Sequence, residues 1–272
     1  MRSRLIKVEG AGNDFLLGIG SWAERLAQDC DLVRRLCHRR LGVGADGTIA
    51  VAAEGADRVR LVHRNADGGE AVFCANGTRC AARAAVELLG CEPRLVVETA
   101  WRPIPAEIDG HQVTLDIPAP DEPPRHPAIT ASGSMTDHRL VSVGVPHLVV
   151  SAAEIRTLDL PTIAPHLRSH EALGPEGANV NFYEIESDGV VRVRTWERGV
   201  EGETLACGSG LVAVALLVMA AHDLRRVVVL PASGDRLTVE ALGESPNCPT
   251  RLTGPTRIIA EIEPSEDFLN TL

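Results

Sequence analysis

The hydrophobic pattern divides the chain into many short apolar segments and few long ones. Residues 4–9 and 14–19 read as strands around a turn at Gly10-Ala11-Gly12-Asn13. Leu26, Val33 and Leu36 recur at helical spacing, so a helix is expected over 22–40. A tight loop, Gly42-Val43-Gly44-Ala45-Asp46-Gly47, precedes strands at 48–53 and 58–64. Cys80 to Leu89 is Ala-rich and stops at Gly90, which predicts a helix with a glycine C-cap. Strands are expected at 94–99, 104–108 and 111–117. Prolines at 118, 120, 123, 124 and 127 then mark a linker.

Beyond the linker the alternation resumes. Strands are expected near 139–143 and 147–151, a weak helix near 160–170, and strands at 181–186 and 190–196. A long helix follows at 209–222, then strands at 227–230, 235–242 and 251–262. Leu211 to Ala221 has no polar face, so this helix is expected to be buried on every side. One strongly apolar helix among many strands in each half predicts an α+β fold, with each sheet wrapped around its helix. The run is too short to cross a bilayer, which needs about 18 apolar residues.

One stretch occurs twice. Thr195-Trp196-Glu197-Arg198-Gly199 leads to Glu203-Thr204-Leu205-Ala206-Cys207-Gly208-Ser209-Gly210 in the second half. Arg64-Asn65-Ala66-Asp67-Gly68 leads to Glu70-Ala71-Val72-Phe73-Cys74-Ala75-Asn76-Gly77 in the first. Each passes from a polar turn through a glutamate to a cysteine, then small residues and an apolar segment. Glu70 and Glu203 each stand four residues before their cysteine, and the cysteines are 133 residues apart. Ala45-Asp46 and Ala178-Asn179 keep the same offset, and Gly12-Asn13 and Gly144-Val145 keep it within one residue. A fixed offset of half the chain argues for an internal duplication into two similar domains. The expected halves are 1–118 and 119–262.

Composition narrows the partners. The net charge of −10, without a Lys/Arg cluster, argues against nucleic acid or anionic membrane. The N-terminal residues carry no long apolar core, so no signal peptide is expected. Seven cysteines without a CxxC pair or an HExxH stretch read as reduced cytosolic thiols, with neither a disulfide framework nor a structural zinc site.

The repeated turns carry the chemistry. Ala75-Asn76-Gly77 and Gly208-Ser209-Gly210 stand where a strand turns into a helix, and small residues there let a ligand approach the backbone. Unpaired N–H groups and the helix dipole make such a turn an anion site and favour a thiolate at its first residue. Two such turns facing each other would hold one carboxylate with a sulfur on either side of its α-carbon. That geometry suits removal of an α-proton by one thiolate and its return by the opposite thiol, inverting an amino acid without pyridoxal phosphate or metal. Taken singly, a cysteine is more often core filler and a glycine turn only a turn. Cys30, Cys37, Cys80, Cys91 and Cys248 have no repeat partner and are assigned that role, and His38 and His147 are read as capping or packing residues.

At these residues the chain resembles the diaminopimelate epimerase family. The resemblance rests on Gly10-Ala11-Gly12-Asn13-Asp14-Phe15, Gly42 to Gly47, Arg64 to Gly68, Cys74 to Cys80, Gly144-Val145-Pro146-His147, Ala178-Asn179-Val180, Glu197-Arg198-Gly199 and Glu203 to Gly210. It implies two pseudo-symmetric domains, each a β-barrel-like sheet around a central helix, with a C-terminal tail, 263–272, returning to the first. It also implies cofactor-independent interconversion of LL- and meso-diaminopimelate in lysine and peptidoglycan biosynthesis, by a cytoplasmic homodimer. Cys74 and Cys207 match the family's catalytic pair. Ala75, Asn76, Gly208 and Ser209 match residues around the reacting carboxylate, and Asn13 one near the reacting amine. Asn65, Asn179, Glu197 and Arg198 match the group holding the distal L-centre. Ala75 stands where the family has glycine, and Val145 where it has asparagine.

Other readings compete. A cofactor-independent racemase of another amino acid would use the same scaffold but would not need Asn65, Asn179, Glu197 and Arg198. A redox protein joining Cys74 to Cys207 would explain the thiols but not the two anion turns. A non-catalytic amino-acid binder is a further alternative, and only an epimerase would turn a pure stereoisomer in D2O into the other isomer carrying α-deuterium.

Overall fold

Short strands joined by tight turns dominate the computed structural model, which describes residues 3–129 and 135–270. The chain forms two units, Met1–Leu115 with Pro255–Leu272, and Asp116–Gly254.

In the first unit, β1 (Arg4–Gly10) and β2 (Asn13–Ile19) form an antiparallel hairpin in which Gly10 faces Asn13. Its two turn residues, Ala11 and Gly12, have φ of 55° and 83°, the left-handed pair whose twist suits a two-residue hairpin loop. The Gly12 N–H donates to Glu9 Oε2 at 2.7 Å, which ties the turn down. Helices α1 (Ser21–Gln28) and α2 (Cys30–Cys37) follow. The single helix expected over 22–40 is therefore broken. Asp29 leaves the helical conformation and its carboxylate accepts from Leu32 N at 2.8 Å, restarting the chain as an N-cap. Next come β3 (Gly47–Ala53), parallel to β2, and β4 (Arg58–Asn65), antiparallel to β3. Helix α3 (Ala75–Leu89) leads to β5 (Arg94–Glu98), parallel to β4, then antiparallel β6 (Pro103–Asp109) and β7 (Gln112–Ile117). α3 begins five residues before the expected Cys80, because Cys74 caps a first turn whose Asn and Gly are weak helix formers by themselves.

The second unit contains β8 (Met135–Val143) and β9 (Val145–Ala152), antiparallel, then α4 (Leu160–Arg168). β10 (Asn179–Ile185) runs parallel to β9, and β11 (Val191–Glu197) antiparallel to β10, with short β12 (Gly202–Thr204) beside it. Helix α5 (Gly208–His222) leads to β13 (Arg226–Leu230), parallel to β11, then antiparallel β14 (Leu237–Ala241) and β15 (Thr250–Pro255). Each unit thus repeats one order of pairings from its first hairpin onward.

The strand expected over 251–262 is two. Thr256 interrupts it, buried, with its N–H bonded to His111 O at 2.8 Å. β16 (Arg257–Ile262) pairs antiparallel with β1, followed by α6 (Glu266–Asn270). The return to the first unit therefore starts at Pro255, not at residue 263. A single alternating pattern cannot show that its two ends pair with different strands, β14 at one end and β1 at the other.

The fold is sheet-dominated α+β. α3 packs against β1 to β6, and α5 against β8 to β11, β13 and β14. α5 is buried from Gly208 to Leu216 and again at Val218 and Met219. Surrounded by strands, it has no use for a polar face. No helix among the described residues is long and apolar enough to cross a membrane.

Candidate active site

Cys74 is the N-cap residue of α3, in extended conformation, and half-buried. The Gly77 N–H donates to its sulfur at 3.4 Å, so one helix N–H meets the sulfur itself. On the other side, Asn13 Oδ1 lies 3.6 Å from Cys74 Sγ. Asn76 Nδ2 reaches the same oxygen at 3.3 Å, and the buried Arg79 guanidinium donates to Asn76 Oδ1 at 2.9 Å. Of the expected site residues, the first unit therefore brings Asn13, Cys74, Ala75 and Asn76 together. Asn65 ends β4, exposed, where its N–H donates to Gly69 O at 2.8 Å and closes the turn before Glu70.

A charged cluster holds the hairpin end that carries Asn13. Arg39 grips Asp14 with two nitrogens at 2.8 and 2.7 Å and reaches Asp46 at 2.6 Å. Lys7 Nζ lies 2.5 Å from Asp14 Oδ2. Burial raises the Asp14 pKa, but hydrogen bonds from Arg39 and Lys7 outweigh it and hold the carboxyl down to about 2. An unfolded aspartate titrates near 4. Because the folded value is depressed, the stabilisation is complete above about pH 4 and is lost as pH falls toward 2. Asp14→Asn is expected to lower unfolding free energy by about 2 kcal/mol at pH 7. The gap from wild type should close between pH 4 and 2 in urea titrations. A pH-independent gap would show that the charge is not responsible.

Cys207 is the N-cap of α5, buried, with Ser209 Oγ 3.7 Å from its sulfur. Behind Ser209 lies a buried chain that the sequence reading missed. His147 Nε2 is 3.0 Å from Ser209 Oγ, His147 Nδ1 is 3.2 Å from Asn181 Nδ2, and the Thr195 hydroxyl donates to Asn181 Oδ1 at 3.0 Å. With the Asn181 oxygen taken by Thr195, its NH2 faces Nδ1, which therefore accepts. The imidazole proton sits on Nε2 and is donated to Ser209, leaving the serine hydrogen to be donated onward. Burial, reinforced by the charge of Arg198, pushes the His147 pKa down to about 3, so the ring is neutral at physiological pH. The Gly-Val-Pro-His motif was the available signal, since a histidine, if buried, must find hydrogen-bond partners for both ring nitrogens.

Asn179, Glu197 and Arg198 also lie near one another in this unit. Asn179 begins β10 beside His147 in register, and its Oδ1 accepts from Arg198 N at 2.8 Å. Glu197 ends β11. Arg198 is partly exposed and its guanidinium lies 3.7 Å from Glu176. The repeated glutamate Glu203 is committed to a two-point pair with Arg194 at 2.7 Å. His38 caps locally, with Nδ1 accepting from Leu41 N at 2.9 Å.

Three of the remaining cysteines are set aside by burial. Burial pushes the Cys37 thiol up to about 12 and raises Cys80 and Cys91 as well, so none of these three supplies a thiolate near neutrality. Among the described residues no group of three His, Cys, Asp or Glu side chains could hold a metal ion. A cleft of about 410 Å³ in the second unit, lined by His138, Arg139, Tyr183, Leu217 and Ala220, adjoins the C-terminal end of α5. Cys207 is at the opposite end of that helix, so the cleft is separate from the thiol.

Comparison with known proteins identifies the family. A family model for diaminopimelate epimerase matches residues 5–117 and 139–259. The diaminopimelate epimerase of Aquifex aeolicus is 34% identical over 249 residues, covering 86% of this chain and 88% of the relative. That of a Hydrogenobaculum species is 35% identical, covering 94% and 96%. A probable proline racemase from Agrobacterium radiobacter, at 16% identity, shares the fold with a TM-score of 0.69 over 98% of this chain and 94% of its own. The chain belongs to the diaminopimelate epimerase family, and the protein is an isomerase.

Proposed function

We propose that the protein interconverts LL- and meso-diaminopimelate through two thiols, Cys74 and Cys207, without an organic cofactor or a metal. One observation carries the reading. Of seven cysteines, only these two are N-caps of long helices. In that position a thiolate is favoured and adjoining N–H groups can meet a carboxylate. In this reading one sulfur, as thiolate, takes the α-proton from one face of the carbon. The other, as thiol, returns a proton to the opposite face. Negative charge builds on the carboxylate as the proton leaves, and the first-turn N–H groups of α3 and α5 stabilise it. Ser209, held as a donor by neutral His147, adds a hydrogen bond on the Cys207 side. After turnover the protonation states of the two sulfurs are exchanged.

The distal, non-reacting centre carries an ammonium and a carboxylate. Glu197 and Arg198 are their natural partners, and Asn65 and Asn179 add handed contacts. The first half has Arg64-Asn65 where the second has Glu197-Arg198, so this part of the repeat is asymmetric, as a substrate with one reacting head requires. Arg198→Ala is expected to weaken transition-state binding by about 2–5 kcal/mol, seen in kcat/KM. An unchanged kcat/KM would remove Arg198 from the distal site.

The test is incubation of the protein with pure LL-diaminopimelate in D2O. Meso product carrying α-deuterium is expected, with alanine, proline and glutamate turned over poorly. Inversion of a monocarboxylic amino acid in preference to diaminopimelate would leave the racemase chemistry and overturn the substrate. Val145 and Ala75, where the family has asparagine and glycine, make that comparison informative. Absence of any inversion would overturn both.

A further inference from the structure

We propose that Asp46, working against Arg79, is a positioning residue that sets which end of the Asn13 amide faces Cys74. The two ends of an asparagine side chain have nearly the same shape but opposite hydrogen-bonding character, so the partners decide the orientation. A carboxylate only accepts. Asp46 Oδ2 lies 2.8 Å from one end of Asn13, which must therefore be the NH2. A guanidinium only donates. Arg79 Nη2 lies 2.9 Å from one end of Asn76, which must therefore be the oxygen, and the Asn76 NH2 then points at Asn13 at 3.3 Å. Both charged ends impose the same direction on the chain Arg79, Asn76, Asn13, Asp46. The outcome is an amide oxygen 3.6 Å from Cys74 Sγ.

Asp46 is itself held in place. Its other oxygen takes Arg39 at 2.6 Å, and its backbone N–H donates to Asp14 O at 3.0 Å. The Cys74 sulfur thus has an acceptor in Asn13 Oδ1 and a donor in Gly77 N–H, at 3.6 and 3.4 Å. An S–H is favoured by the first and a thiolate by the second. A group that must serve as acid in one direction and base in the other needs both. If Asn13 were turned over, its NH2 would face the sulfur and the thiolate alone would be favoured.

This inference rests on the reading of Cys74 as a reacting thiol, but its test reads the thiol directly. The full-length protein is alkylated with iodoacetamide across pH, and modification at Cys74 is followed by peptide mapping. Asp46→Ala is expected to shift the half-maximal pH downward by about half to one unit, the size of one net hydrogen bond. Asn13→Ala should give a similar shift. The double variant should shift no further than Asn13→Ala alone, because Asp46 acts through Asn13. A residue that only supported the fold would lower stability and leave the midpoint in place. Should Asp46→Ala fail to fold, near-isosteric Asp46→Asn provides the same measurement. An unmoved midpoint in the Asp46 variant, or in Asn13→Ala, would overturn the proposal. So would a full additional shift in the double variant, which would mean that the Asp46 charge acts on the sulfur directly. Failure of the D2O experiment would overturn the substrate chemistry and leave these shifts unaffected.

Discussion

Cys74→Ala and Cys207→Ala are each expected to lower kcat for inversion by at least about 10²–10⁴-fold, the usual contribution of a positioned acid or base. Inversion needs a base on one face of the α-carbon and an acid on the other, so either loss stops both directions. The change should fall on kcat more than on KM, because the sulfurs handle protons while the helix termini hold the carboxylate. Serine at Cys30, Cys37, Cys91 or Cys248 should leave turnover per folded molecule within a few-fold. The thiols of Cys37 and Cys91 are raised by burial, and none of the four caps a helix. Near wild-type turnover in either alanine variant would end the two-thiol mechanism. A large loss in one of the four serine variants that folded normally would show that the assignment had missed a thiol.

The second large effect is on stability. Gly210→Ala would place a Cβ 2.1 Å from Asn181 Oδ1, 3.0 Å from its Cγ and 3.3 Å from His147 Nδ1. These atoms cannot simply swing away. Asn181 is fully buried and joined to both His147 and Thr195. Displacing it leaves buried polar groups without partners, at about 1–3 kcal/mol each. Alanine recovers about 1 kcal/mol over glycine inside a helix. The net expectation is a loss of about 2–4 kcal/mol, measured by urea unfolding. Adding Asn181→Ala should recover part of it by removing the atoms in the way. A Gly210→Ala protein as stable as wild type would mean that the buried chain behind Ser209 is looser than its distances suggest. The same variant should reduce turnover, since Ser209 loses the neutral histidine that orients its hydroxyl.

The cost at Gly210 also bears on why the sequence motif looks as it does. Gly208-Ser209-Gly210 can be read as a ligand-binding turn, and its first two residues fit that reading. Its last glycine has another reason, a close approach by Asn181 from a neighbouring strand. The motif could not reveal this, because Asn181 is not part of it.

Much of the architecture was legible from local pattern. The hairpin at Gly10-Ala11-Gly12-Asn13, the strand runs, the burial of α5 and the placing of both cysteines at helix starts depend on neighbours a few residues apart. Turn chemistry and hydrophobic period encode such features directly. The exceptions are also local in cause. Asp29 breaks a periodic helix because a side-chain cap competes with continuation, which periodicity does not register.

What only tertiary structure decided involves groups distant in sequence. Residues 251–262 look like one strand, but β15 pairs with β14 and β16 with β1, and a strand's partner lies outside its own pattern. His147 and Ser209 are 62 residues apart, Asn13 and Cys74 61, and Asn13 and Asp46 33. Read singly, His147 looked like a packing residue and Asp46 like part of a glycine loop, and Arg79 stood only as a member of the Cys74 to Cys80 motif. The sequence by itself determined which residues are chemically capable, the repeated cysteines above all. Folding determined which neighbours set their protons and amide orientations, because hydrogen-bond direction depends on the partner that arrives and not on the residue that waits.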